Sequence, residues 1–177
     1  MHDENLGGAA SSYTDAARAR LAMAQEAREL ADLARAAVPI GEHDLRPDGT
    51  VRSPGAVLSD AVDVLRAAHR LLDAAAVCER AGGASWQLIG DALGVEAQTA
   101  RVRFAAAESS FREQLRCPES SDEAQNPGWW RAYTAGNPLE AAHDLDDWVL
   151  RHEDGDSHLN TTPVSGGLTR RDRRRYG

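Results

Sequence analysis

The stretch Glu96-Ala-Gln-Thr-Ala-Arg-Val-Arg-Phe104 gathers side chains that can read nucleic acid. A carboxamide such as Gln98 pairs bidentately with adenine, and a guanidinium such as Arg101 pairs with guanine or a phosphate. Thr99 and Arg103 lie on the flanks and suit the sugar–phosphate backbone. Upstream, Ser85 and Gln87 offer two more groups able to reach phosphate.

Such side chains act only if a scaffold holds one helix face against the protein and frees the other. Ser85 is a good N-cap for a short helix over Trp86–Leu93. Gly94 supplies a tight turn with positive φ, and Val95 is expected to be buried in that turn. A second helix should run from about Glu96 to Leu115, with Pro118 barring its continuation. Ile89 and Leu93 face inward, and Gly90 and Ala100 are small where the two helices approach each other. Ala100, Phe104, Ala107, Phe111 and Leu115 form one apolar stripe. At about 100° per residue, Gln98, Arg101, Val102 and Ala105 fall on the opposite face. A helix-turn-helix needs this division. The alternative is a plain helical hairpin on which Gln98 and Arg101 are solvated surface.

The segment Arg80-Ala-Gly-Gly-Ala-Ser-Trp-Gln-Leu-Ile-Gly-Asp-Ala-Leu-Gly-Val-Glu-Ala-Gln-Thr-Ala-Arg-Val-Arg-Phe104 resembles the motif of small, mostly uncharacterised actinobacterial helix-turn-helix proteins, itself similar to sigma-factor region 4. The resemblance extends over the preceding helix, to Leu145-Asp-Asp-Trp-Val-Leu-Arg-His152 and to Pro163-Val-Ser-Gly-Gly-Leu168. It touches roughly residues 55–168, with gaps. It implies DNA binding and no catalytic residues. The family carries Ser-Arg where this chain has Glu96-Ala97, an exchange that removes a cation and adds an acid at the start of the recognition helix.

The remaining elements follow from periodicity and breakers. Thr14 caps a helix to about Val38, with Leu21, Ala24, Ala31, Ala34 and Val38 on one face and Leu30 and Leu33 widening it. Pro39 and Gly41 end it, and residues 41–54 carry turn chemistry. Gly55–Ala81 reads as the longest helix, with a stripe of Leu58, Val62, Leu65, His69, Leu72 and Ala76. Gly82-Gly83 terminates it. The expected fold is all-α: a long antiparallel helical hairpin, a helix-turn-helix, a linker and a short C-terminal helix. The expected segments are a disordered N-terminus over 1–13, the hairpin with helix-turn-helix over 14–116, and an aromatic-containing linker over 117–137. A helix over 138–152 follows, packing through Leu139, Ala142, Leu145, Trp148 and Val149. A flexible tail over 153–177 ends in an arginine cluster.

Composition bounds the rest. Of 177 residues only 5% are aromatic, and alanine makes up much of the 42% hydrophobic content. The expectation is a thin core, completed by a partner chain. All 20 basic residues are arginine, and the net charge is -8. Net negative charge is concentrated in residues 119–163, where acids far outnumber arginines, and Arg170–Arg175 reverses it, either as a DNA arm or as a counterpart to the chain's own acids. Cys78 and Cys117 lack metal spacing and read as reduced thiols. His2, His43, His69, His143, His152 and His158 are scattered, so no metal site is expected. No cofactor motif or catalytic constellation stands out, and the chain does not read as an enzyme. Trp86 reads as an anchor for the short helix. Trp129-Trp130 either covers the core or binds a partner. The expected function is DNA binding, as a transcriptional regulator on double-stranded DNA and as a homodimer. The alternative is an interaction module, sigma-like or adaptor, that uses the helix-turn-helix fold, the Trp-containing linker and the acidic segment to bind RNA polymerase or another protein. No membrane partner is expected, and the expected location is cytoplasmic.

Overall fold

The computed structural model describes residues 12–116, 129–153 and 161–168. These are mostly helical and form no strand; the loop between the two long helices carries an isolated bridge between Leu45 and Val51. The helices are α1 (Asp15–Ala36), α2 (Ala56–Ala81), α3 (Trp86–Leu93), α4 (Ala97–Arg116), α5 (Trp129–Gly136) and α6 (Pro138–Arg151). The all-α class expected from the sequence is the one observed.

Thr14 caps α1, its hydroxyl accepting from the Ala17 N–H at 3.1 Å. The helix stops at Ala36, short of Val38, because a residue before proline is sterically kept out of the α region. Val38 is exposed as a result. Glu26 and Glu29 of α1 meet Arg70 of α2, while Arg20 acts on Cys78 further along α2. Positions on the two helices therefore run in opposite directions. Burial, with Glu79 beside it, pushes the Cys78 thiol above its ordinary value, which favours the inert protonated form.

The core divides in two. Leu21 of α1 packs with Ala141, Ala142 and Leu145 of α6. Ala76 of α2 packs with Ile89, Ala100 and Phe104 of α3 and α4. Phe104 and Leu21 are the largest fully buried side chains among the described residues, so the core is as thin as the alanine content implies.

Four expectations need correction. The α2 stripe is not continuously buried: Leu58 is 69% exposed, and Leu65 and His69 are exposed too. The α3–α4 pair packs on Leu72 and Ala76, toward the C-terminal end of α2, and leaves Leu58 and Leu65 uncovered. The expected linker over 117–137 contains α5, fixed to α1 by Arg131, whose Nε donates to Glu26 at 2.8 Å. Within the expected flexible tail, residues 161–168 dock on the body, and Val164 and Leu168 pack against the Leu21 cluster. Tyr13, at the edge of the expected disordered N-terminus, is buried. Expectations for residues 1–11, for Cys117 and for the Arg170–Arg175 cluster lie outside the described residues.

Candidate nucleic-acid interface

Local chemistry builds the α3–α4 pair. The Ser85 hydroxyl oxygen accepts from the Leu88 N–H at 3.2 Å and so starts α3. Gly94 ends it in the left-handed region, at φ 68°, where a side chain would be strained. The Val95 N–H then returns to the Gly90 carbonyl at 3.0 Å. Gly90 is required for a second reason. A Cβ there would lie 2.6 Å from the Val95 carbonyl oxygen and 3.1 Å from the Ala97 nitrogen. The start of α4 thus presses directly on the α3 backbone.

Ala100 and Phe104, both 0% exposed, seat α4 on α3 and α2. The rest of the expected stripe, Ala107, Phe111 and Leu115, is only half-buried. Trp86 packs against the same cluster, and the Arg80 guanidinium lies 4.7 Å above its ring. Val95 departs from expectation: it is 39% exposed. The tight Gly90–Val95 return places its backbone, not its side chain, against α3.

The opposite face of α4 is open. Gln98, Thr99, Arg101, Val102 and Ala105 are exposed, Val102 at 68%. Gln98 and Arg101 make no hydrogen bond or ion pair among the described residues. The other expected site residues are less free. Gln87 donates through Nε2 to Asp91 at 2.7 Å, one helical turn on. Arg103 is exposed, but its guanidinium lies 5.1 Å over the Phe104 ring and within the field of Asp73 on α2. The Ser85 oxygen is used as a cap, which leaves its O–H able to donate outward.

The charges around this face nearly cancel. Glu108, 3.6 Å from Arg80 and 2.6 Å from Arg112, is shared between the two arginines that flank the buried side of α4. Glu113 lies 3.9 Å from Arg116. Among the described residues, Arg101 is therefore the cation of α3–α4 without a carboxylate or ring partner. Asp91 and Glu96 are exposed on the same pair of helices. The Arg80–Glu108 contact was not foreseen because it joins distant parts of the chain. The Glu108–Arg112 pair carried a readable signal, a carboxylate four residues before an arginine on a helix.

Among the described residues, no group of three or more His, Cys, Asp or Glu side chains gathers as a metal site would require. No helix there is long and apolar enough to cross a membrane. Comparison of the chain with protein-family profiles, with curated proteins and with solved structures finds no match.

Proposed function

We propose that this chain is a DNA-binding protein, a transcriptional regulator, whose α3–α4 pair acts as a helix-turn-helix on double-stranded DNA. One observation carries the reading: α4 is divided between a fully buried seat at Ala100 and Phe104 and an exposed face where Gln98 and Arg101 are unengaged. That is the arrangement a recognition helix needs to enter the major groove. The sequence resemblance to actinobacterial helix-turn-helix proteins supports it. Gln98 and Arg101 take the base-reading role. Thr99, Ser85 and, with its stack on Phe104 loosened, Arg103 take phosphates. Gln87 joins them only by releasing Asp91.

One such face offers few contacts, so a second copy in a two-fold homodimer would double them. Val57, Leu58 and Leu65, exposed on the N-terminal half of α2, supply an apolar surface of the kind that such pairing covers.

A second reading has its own observation. Leu88, Val95 and Val102 are exposed apolar residues on the same helix pair, beside the acids Asp91 and Glu96. That surface suits another protein, RNA polymerase included, as well as it suits thymine methyl groups.

Sequenced pull-down of fragmented genomic DNA at two salt concentrations separates the two readings. A DNA reader enriches specific fragments, and Gln98→Ala with Arg101→Ala abolishes that enrichment while leaving helicity intact. Absence of enrichment at low salt eliminates the first reading. The second then predicts loss of a protein partner on Val102→Asp.

A further inference from the structure

A cavity of about 380 Å³ opens where α1, α2, α4 and α5 meet. That volume falls within the ~300–1,000 Å³ of small-molecule pockets. Ala22 of α1, Ala74 and Val77 of α2, Ala107 and Phe111 of α4 and Trp130 of α5 form its apolar wall. The alanines create the space, since larger side chains at those positions would close it.

The charged groups of the cavity are unequally matched. Glu26, 6% exposed, accepts from Arg70 Nε at 3.2 Å and from Arg131 Nε at 2.8 Å. Arg70 also donates to Glu29 at 2.8 Å. Arg18 donates to the Ala135 carbonyl at 2.7 Å. Asp73 lines the same cavity, yet among the described residues it has neither a hydrogen bond nor an ion pair. Burial holds its carboxyl above its ordinary value; Arg103 and His69 pull it down, Glu26 pushes it up, and burial prevails. Thr134 adds to the wall a buried hydroxyl with no hydrogen-bond partner among the described residues.

We propose that this cavity is the binding site of a small amphipathic amine, with its cationic nitrogen on Asp73 and its apolar body between α2 and α4. The apolar body gains by leaving water. The ammonium supplies the close ion pair that Asp73 lacks, since Arg103 and His69 act on it only through their fields. An anion would meet Asp73 and Glu26, while Arg70 and Arg131 are already held by carboxylates and Arg18 by the Ala135 carbonyl. Ala107 and Phe111 belong to the helix that carries Gln98 and Arg101, so an occupant bears on how that helix is seated. The site itself stands whether or not the chain reads DNA.

Three dansyl probes with one fluorophore and different tails test the site on the full chain, without DNA. Dansylcadaverine is cationic, its N-acetyl derivative is neutral and dansyl-aminocaproate is anionic. The cation should bind saturably, with affinity roughly tenfold or more above the neutral probe and above the anion. Asp73→Asn should bring the cation down to the neutral probe's affinity. Ala74→Leu, which fills the cavity with a good helix former, should abolish binding of both. Circular dichroism gives the folded fraction of each variant. Should Asp73→Asn fail to fold, the wild-type ranking and Ala74→Leu still decide. Equal affinity for cation and neutral probe, preference for the anion, or unchanged binding by folded Ala74→Leu each overturns the proposal.

Discussion

A β-carbon on Gly90 would meet backbone, at 2.6 Å from the Val95 carbonyl oxygen, and backbone cannot step aside as a side-chain tip can. Gly90→Ala should therefore destabilise the protein by about 1–3 kcal/mol, the usual cost of overpacking, in urea or thermal unfolding. An unchanged midpoint would mean that the turn is looser than its geometry indicates. The sequence already marked this glycine as a site of close approach, and Ser85 and Gly94 as the cap and the turn. The exposed side of α4 was readable for the same reason: helical periodicity alone separates Gln98 and Arg101 from Ala100 and Phe104. Local pattern could not supply the fate of Arg103. It shares a field with Asp73, thirty residues earlier in the chain on another helix. Gln87 was half legible, since Asp91 stands one turn away where such pairs meet.

Among the elements, α1, α2, α3, α4 and α6 were legible from caps, breakers and apolar spacing. The eight residues of α5 were not, because they follow a Pro-Gly pair and are too few to be helical on their own account. Long-range contacts hold them, above all Arg131 on Glu26. The docked segment 161–168 escaped for the same reason. Besides its apolar contacts and a bond from Arg20 to the Gly167 carbonyl, it is held by Asp146 on α6, whose Oδ1 accepts from the Val164 N–H at 2.6 Å and the Ser165 N–H at 3.1 Å. Burial pushes that carboxyl up, but the Ser165 hydroxyl, these two N–H groups and nearby His143 together hold it below its ordinary value. A carboxyl depressed in the folded state stabilises fully above its unfolded pKa, near ~3.9. That contribution is lost as pH falls through the lower, folded value. Docking of 161–168 should therefore persist down to about pH 4 and weaken below it. Asp146→Ala should remove it at neutral pH, at a cost of about 1–3 kcal/mol. Limited proteolysis across pH reads both effects. Docking in Asp146→Ala equal to wild type would show that Val164 and Leu168 suffice.

At the scale of the whole molecule, charge and apolar surface both bear on the proposed partners. A net charge of -8 repels a polyanion at long range, so DNA capture should rest on short-range contacts at Arg101 and its neighbours. Few phosphates would then be neutralised per chain, and the salt dependence should be shallow for a DNA binder. Pairing of two chains would compensate. Leu58→Glu together with Leu65→Glu should leave helicity intact, because both side chains are exposed. In sedimentation the variant should run as a monomer at concentrations where the wild type is a dimer. A wild type that is monomeric throughout would remove the homodimer from the reading.

The division of the core has a consequence for how the molecule comes apart. Leu21 with α6, and Phe104 with α3, belong to separate apolar clusters. Between α1 and α2, Glu26 and Glu29 bind Arg70, so charged contacts help hold the two sides together. That α1–α2 seam is the most extensive helix pairing among the described residues, and Glu26 within it is buried and so little screened by salt. The clusters share that seam, so α3 with α4 on α2 and α6 with 161–168 on α1 are the parts able to open separately, each with its own rate of amide exchange. A chain built this way can loosen what is packed on either flank while the paired long helices keep their shape.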